Sequence, residues 1–504
     1  MIDVAAVQQA FGLLTQSWEP WMVVVPGILI GLVAGAIPGI QVSMAMAIAL
    51  PATFLMDFLS AMLFLTAIFT GGSFGAGVPA ILMNIPGASN AVATAFDGYP
   101  MAQRGEHNRA LGLALGASTI GTFFGYVILF LLIEPISGAV LRLGPSEFLV
   151  VILWGITLIA VLKGSNFARG LLGGTLGLLV GTVGMSDLGV IRGTLGIPNL
   201  LDGVAVVPAM IGLFAASALF GLIGRAYLVE AATARALSFR SILQGFREAF
   251  RYPKVLLRGG LIGAFIGAVP GVGGSISNLV SYAETKRSEP DGDTFGTGNP
   301  KGVIAAESAN SSGEGGSLIT LLALGIPGGG GTAIMLAAFS MHNITGGPRF
   351  IREQTDIVYA IVLANFAQAI LLVIMGLVFI HFLAAVVKVP LRVLVPSVLV
   401  LAAYGSYGFT GSMDGPVTVL IAGCVGWLLN RYDYSIPAVV IGLLLGRMAE
   451  GEMVRTFQIS VGDPGYFLQR PVTILLVVLL AASLLLPPLF RRLRRRPEGL
   501  ALED

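Results

Sequence analysis

Apolar runs without a single Asp, Glu, Lys or Arg dominate the chain. They cover residues 20–56, 58–96, 110–133, 203–224, 259–283, 315–348, 357–387, 393–413 and 471–490, with shorter ones at 148–162, 170–186, 415–430 and 434–446. A helix crossing the hydrocarbon core needs about 20 mostly apolar residues, so most of these runs predict one span each. Three of them, 20–56, 58–96 and 315–348, are too long for one span and are interrupted by Gly and Pro, which predicts half-length, broken helices. The pattern predicts an all-α polytopic membrane protein with discontinuous helices and roughly 10 to 14 membrane-embedded segments.

Composition agrees. Hydrophobic residues make up 55 % of the 504 residues and charged ones 11 %, too little polar side chain to cover a water-soluble surface. Gly and Pro, 68 and 26 residues, are too frequent for a bundle of uninterrupted spans. The single cysteine, Cys424, excludes a disulfide framework or a Cys-based metal site, and the widely spaced His107, His342 and His381 form no zinc pattern. The expectation is no cofactor beyond a bound Na⁺. Basic residues do not interleave with aromatics, so nucleic acid is not an expected partner.

Charge placement sets orientation. No Lys or Arg precedes Arg104, whereas residues 225–258 carry Arg225, Arg235, Arg240, Arg247, Arg251, Lys254 and Arg258, and the tail carries Arg491, Arg492, Arg494, Arg495 and Arg496. The positive-inside rule places the linker and the C-terminus in the cytoplasm and the N-terminus outside. The first 18 residues lack a basic leader and a small-residue cleavage site, so they do not read as a cleaved signal. Val4, Val7, Phe11 and Leu14 recur at helical spacing, which fits a helix lying along the membrane surface; an unstructured terminus fits equally well.

Two segments match each other. Gly31-Leu-Val-Ala-Gly35-Ala-Ile-Pro38-Gly39-Ile40 and Gly263-Ala-Phe-Ile-Gly267-Ala-Val-Pro270-Gly271-Val272 share five of ten residues. Each is followed by Gly-Gly-Ser, at 71–73 and 315–317, and then by Ile-Pro-Gly, at 85–87 and 326–328. Three motifs in the same order predict an internal duplication. The organisation expected is a surface segment 1–19, a first membrane repeat 20–224, a basic cytoplasmic linker 225–254, a second repeat 255–490 and a basic cytoplasmic tail 491–504. The first repeat is entered from outside and the second from inside, so the copies point opposite ways: an inverted-topology repeat, the architecture of carriers that expose one site alternately to two sides.

The glycine stripes Gly31-Gly35-Gly39 and Gly259-Gly263-Gly267-Gly271 read first as close helix packing, which needs no ligand. Their ends differ, because Pro38-Gly39 and Pro270-Gly271-Val-Gly273-Gly274-Ser275 leave backbone groups that must line protein or a watery cavity. Asn84-Ile-Pro86-Gly87-Ala-Ser89-Asn90 and Gly325-Ile-Pro327-Gly328-Gly329-Gly-Gly-Thr332 each lead through a Gly-rich turn to an N-cap (Ser89 or Asn90; Thr332) and a helix. Free N–H groups and the positive end of the dipole at such a start can hold a carboxylate without Lys or Arg; a kinked packing helix is the other reading. With Gly39, Ser43, Gly271, Gly273, Gly274 and Ser275 completing the walls, these are the expected substrate-binding residues. Asn310, Ser311, Ser312 and Glu314 offer the oxygens Na⁺ takes, while Glu307 or Glu314 could instead carry a proton or simply line a solvated loop.

No enzyme is expected. Gly71-Gly-Ser73-Phe-Gly75 matches the G-x-S-x-G nucleophile pattern, but it sits inside an apolar run instead of between a strand and a helix. A membrane-embedded serine hydrolase and a facilitative channel for small anions are the alternatives to a carrier. Asp97-Gly-Tyr99-Pro100 reads as a turn leading to Arg104 and Arg109.

At Gly31–Gly39, Asn84-Ile-Pro-Gly87, Asp97-Gly-Tyr-Pro-Met-Ala102, Phe295-Gly-Thr-Gly-Asn-Pro-Lys-Gly302 with Glu307 to Asn310, and Leu324-Gly-Ile-Pro-Gly328, the chain resembles the TctA family, the large membrane subunit of the tripartite tricarboxylate transporters. The resemblance runs from about residue 20 to 490. It implies a secondary transporter permease of the bacterial inner membrane that takes up tricarboxylates or related organic acids, coupled to Na⁺ or H⁺. The partners it implies are a small TctB-like membrane subunit, a periplasmic TctC-like solute-binding protein that delivers the carboxylate, and the lipid bilayer.

Overall fold

The computed structural model describes residues 3–37, 40–162, 167–186, 188–222, 237–271, 274–386 and 391–494. The fold is 81 % helix. Its one sheet among the described residues is the antiparallel pair Gly184–Met185 and Ile191–Arg192. Four of the described helices are long and apolar enough to cross a membrane, Glu19–Ala36, Phe58–Met83, His107–Val140 and Thr355–Ile380, and shorter apolar helices such as Val42–Leu55, Val206–Phe220 and Gly330–Met341 accompany them. The chain is an all-α, multi-pass membrane protein.

Twelve helices frame its centre: α1 (Val4–Gln16), α2 (Val24–Ala36), α3 (Val42–Ala49), α4 (Phe58–Met83), α5 (Val92–Gln103), α6 (His107–Val140), α7 (Phe239–Ala249), α8 (Pro253–Gly267), α9 (Gly274–Ser288), α10 (Pro300–Leu324), α11 (Gly330–Met341) and α12 (Thr355–Val386). Local chemistry sets their ends. The Asp57 carboxylate accepts the Ser60 N–H at 3.0 Å to start α4, and the Asn299 side chain accepts the Lys301 N–H at 2.9 Å to start α10, which has Pro300 in its first position. Both helices stop at a left-handed residue, Asn84 (φ 59°) and Gly325 (φ 70°), immediately before an Ile-Pro-Gly.

The glycine stripes bring helices into backbone contact. A methyl on Gly31 would sit 2.2 Å from the Ile68 carbonyl oxygen, and one on Gly35 2.4 Å from that of Gly72, so α2 can lie on α4 only with glycine there. On the other stripe, Gly263 would meet the Ala309 oxygen at 2.2 Å and Gly267 the Gly313 oxygen at 2.4 Å, which lays α8 on α10 in the same manner. Helix α10 is buried from Gly302 to Ala323, with α4, α6 and α8 around it.

The two ends of α6 are held by different parts of the chain. At its start Arg109 forms a fork with Glu248 of α7, Nη2 to Oε1 at 2.6 Å and Nε to Oε2 at 2.8 Å. Near its end Glu134 Oε1 accepts from the Asp3 N–H and the Tyr359 hydroxyl, both at 2.7 Å. A 34-residue helix is about 50 Å long, so the N-terminal segment and the linker helix lie a bilayer thickness apart.

Several expectations change. Residues 97–100 are not a turn but the interior of α5, and Pro100 is tolerated there. The buried stripe of α1 is Ala6, Ala10 and Leu14, packed on α12, while Val4 and Phe11 face outward. Gly71–Gly75 lies in the middle of α4, so Ser73 is not on a nucleophile elbow. Residues 307–317 are not a solvated loop but buried helix. Of the basic linker, residues 225–236 lie outside the described residues, as do Arg495 and Arg496 of the tail.

Candidate functional site

Each Ile-Pro-Gly turn folds back onto its own glycine stripe. The Gly87 N–H donates to the Ala76 carbonyl at 3.1 Å, and a methyl on Gly87 would fall 2.0 Å from the Gly35 oxygen. The Pro327 carbonyl accepts the Gly271 N–H at 3.2 Å, and a methyl on Gly328 would fall 2.9 Å from the Gly267 oxygen. Beyond these turns the contacts cross from one segment to the other. Asn278 of α9 donates from its side-chain amide to the Asn90 carbonyl, and Asn90 Nδ2 donates to Asn310 Oδ1 at 2.7 Å. Conversely, Gly330 at the start of α11 packs on Ser43 of α3, where a methyl would be 3.1 Å from the Ser43 Cβ.

Beside that second crossing lies a cavity of about 270 Å³, lined by Gln41, Ser43, Phe214, Ser217 and Asn430 among others, with no charged side chain among the described residues of its wall. Gln41, on the wall, is the N-cap of α3, and Gly330, the first residue of α11, packs on the wall residues Ser43 and Phe214 from behind, so two helix starts from distant parts of the chain lie close to the cavity. Neither N-cap residue caps its helix with its own side chain, although Thr332 of α11 accepts the Gly329 N–H. The opposite wall contains the π-helical turn Gly212–Ala216, a local widening of the kind often found at functional sites. Uncapped N–H groups and the positive dipole ends give such a cavity affinity for an anion.

One face of α10 carries Glu307, Asn310, Ser311 and Glu314, all buried. Glu307 is fully engaged, accepting from Thr94 at 2.6 Å and Ser118 at 2.9 Å. Glu314 accepts from Thr70 at 2.8 Å through Oε2, while its Oε1 has no partner. Asn310 also donates to the Ser73 carbonyl at 3.1 Å.

At one end of this ridge Asp97 holds a loop. Its Oδ1 accepts the N–H groups of Gly296, Gly298 and Asn299 at 2.8, 2.8 and 2.7 Å, and its Oδ2 the Tyr282 hydroxyl at 2.9 Å. Arg104 Nη2 donates to the Gly298 carbonyl at 2.8 Å. The Asp-Gly-Tyr-Pro and Phe-Gly-Thr-Gly-Asn-Pro strings are thus two halves of one latch. Next to it Lys301 pairs with Glu289 at 2.8 Å and Asp291 at 2.7 Å.

The substrate residues read from sequence fall into three groups. Ser43 lines the cavity, and the start of α11 (Gly329, Gly330) packs behind it. Asn84, Pro86, Gly87 and Asn90 lie at the other crossing, with Ser89–Asn90 in a 3₁₀ turn ahead of α5 and not at an N-cap, since the Asn90 amide reaches Asn310. Thr332 is not an N-cap either: it is the third residue of α11, and its hydroxyl folds back to accept the Gly329 N–H at 2.9 Å. Gly39 and Gly273 lie outside the described residues, as do the side-chain surroundings of Gly274 and Ser275, whose backbone opens α9; Gly271 is described, with φ 76°. Of the cation set, Asn310 bridges two partners, Ser312 bonds the Ala309 carbonyl at 3.3 Å, and Ser311 Oγ and one Glu314 oxygen are unpartnered.

Sequence reasoning missed Gln41, Ser217, Asn430, Thr70, Tyr126 and Asn278. The available signal was an isolated polar residue in an apolar helix, which is expensive in a membrane unless it meets a partner.

The chain matches the tripartite tricarboxylate transporter TctA family over residues 21–441. The chain belongs to that family. It is 30 % identical to an "Uncharacterized 52.8 kDa protein in TAR-I ttuC' 3'region" of Agrobacterium vitis, over 90 % of this chain and 89 % of that one. It is also 30 % identical to an "Uncharacterized protein in TAR-II ttuC' 3'region" of the same organism, over 43 % of this chain and 89 % of the relative. No solved structure matches. Family membership makes the chain a permease of the tripartite tricarboxylate type and implies TctB-like and TctC-like partners.

Proposed function

We propose that the chain is the inner-membrane permease of a cation-coupled uptake system, which receives a carboxylate from a periplasmic solute-binding protein and carries it through two oppositely inserted repeats. The observation that carries this reading is the cavity of about 270 Å³ at the start of α3, uncharged among its described residues, with the start of α11 packed behind its wall residue Ser43. Gln41, Ser43, Ser217 and Asn430 hold the acid, with the positive end of α11 behind Ser43 adding its field; the opposite crossing at Asn90 and Asn278 is its counterpart from the other repeat. The part of α10 around Ser311 and Glu314 holds the coupling cation, while Asn310 and Ser312 of the same stretch are taken up by other bonds.

Three relationships support the inverted arrangement. The N-terminal segment and the linker helix bind opposite ends of α6. Helix α2 follows the first and α8 the second, so they enter from opposite ends. Their stripes pack on α4 and α10 through matching glycines. The basic linker then faces the cytoplasm and the N-terminus the periplasm.

The test is uptake of a radiolabelled tricarboxylate by vesicles containing the chain with its small subunit, supplied with loaded binding protein. Saturable accumulation that needs a Na⁺ or H⁺ gradient is expected. Accumulation that persists with both gradients collapsed would overturn the coupling, and non-saturable flux would make the chain a channel.

A further inference from the structure

Four oxygens in the membrane core lack partners and belong to residues gathered around Glu314. Oε1 of Glu314, Oγ of Ser73, the hydroxyl of Tyr126 and Oγ of Ser311 are all buried without a well-formed hydrogen bond. Ser73 on α4 approaches Glu314 and Tyr126 on α6 approaches Thr70, in each case outside good hydrogen-bond geometry, and Ser311 is one turn before Glu314 on the same face of α10. Thr70 ties the remaining carboxylate oxygen at 2.8 Å. Glu307, seven residues earlier on that face, shows the contrast: hydroxyls hold both of its oxygens.

Among the described residues of the helices that surround it, a carboxylate in this position has no fixed counter-charge. Helix α4 contains no Lys or Arg, and α6 and α10 contain only Arg109 and Lys301, each in its first turn. Burying an ion without compensation is costly, so something must neutralise Glu314 when it is charged. A proton would occupy one oxygen and leave the others of the cluster as they are. A small hard cation binds several oxygens at once and would satisfy all four. One carboxylate with neutral hydroxyls supplies a single negative charge, which matches a monovalent ion.

We propose that Glu314, Ser73, Tyr126 and Ser311, with Thr70 behind the carboxylate, form a Na⁺ site between α4, α6 and α10. This deepens the coupling reading above and rests on it for its role in transport. It relocates the ion relative to the sequence reading: Asn310 and Ser312 are occupied by other bonds, and Ser73 and Tyr126 take their places.

The experiment follows thermal unfolding of the purified full-length chain in NaCl, KCl and choline chloride at equal ionic strength, with no carboxylate present. Na⁺ should raise Tm saturably above the other two salts. Glu314→Gln and Tyr126→Phe should each weaken the apparent Na⁺ affinity at least tenfold, and Glu307→Gln should leave it unchanged. If Glu314→Gln does not fold, Tyr126→Phe decides, because it removes one oxygen and keeps the ring. Equal Tm in all three salts, or wild-type Na⁺ dependence in Tyr126→Phe, would overturn the site. Na⁺-dependent stability beside Na⁺-independent uptake would uphold the site and overturn the coupling.

Discussion

Asn90 and Asn310 meet amide to amide, Nδ2 to Oδ1 at 2.7 Å, and so join the first Ile-Pro-Gly turn to the centre of the buried helix α10. Asn310 simultaneously caps the Ser73 carbonyl. Asn310→Ala would leave both partners unsatisfied, at a cost of about 1–3 kcal/mol for each buried group. In a double-mutant cycle with Asn90→Ala, unfolding free energies should be non-additive by about 0.5–3 kcal/mol. Additive effects would mean that the amide pair contributes nothing beyond its surroundings.

The glycine stripes make a sharper stability prediction. Gly31→Ala drives a methyl to within 2.2 Å of the Ile68 carbonyl, a contact that only separation of α2 from α4 can relieve. That variant should lose folded yield or melt well below the parent, as overpacking commonly costs about 1–3 kcal/mol or more. Gly12→Ala, where the added methyl has its nearest neighbour at 3.5 Å, should be neutral or gain about 0.5–1 kcal/mol from helix propensity. Size-exclusion profiles and melting of the two variants side by side check the pair.

Filling the cavity should stop transport without unfolding the protein. Ala218 is half-buried on the cavity wall, and Ala218→Leu puts an apolar branch where the acid is proposed to sit. Uptake should fall at least tenfold, with Tm within a few degrees of the parent. Unchanged uptake kinetics would place the pathway elsewhere.

Asp97 is the acceptor of four hydrogen bonds and is fully buried. Asp97→Asn replaces one accepting oxygen with a donor facing donors, so the loop 295–299 should detach from α5. The expected loss is about 2–4 kcal/mol of stability, given that charge-assisted bonds contribute about 1.5–3 kcal/mol each and an unsatisfied group adds its own penalty. Gly302→Ala should mimic it, since its methyl would lie 2.0 Å from Asp97 Oδ2. Protease sensitivity at residues 289–299 reports the release.

Much of this is legible in the sequence. The breaks at 84–91 and 325–329 follow from Pro and Gly in runs too long for one span, and the packing of Gly31, Gly35, Gly263 and Gly267 follows from their four-residue spacing. Asp97 was misread because Gly98 and Pro100 are turn residues locally; burial against 295–302 overrides that preference and keeps them helical. Thr332 was misplaced by three residues because four consecutive glycines carry no signal of where a helix begins. Gln41, Ser217 and Tyr126 were invisible because nothing in a single sequence says that residues on α6 or in 206–220 face α4 or α3. Partnership across the fold, not propensity, gives them their importance.

Reactivity at Gln41 tests the central claim most directly. With Cys424, the chain's one cysteine, replaced by Ala, Gln41→Cys would place a single thiol at the exposed lip of the cavity. A membrane-impermeant maleimide should label it, and saturating tricarboxylate should slow that labelling at least fivefold while a neutral analogue does not. Labelling at the same rate with and without the acid, in vesicles that still accumulate it, would contradict a carboxylate held in the cavity at the start of α3.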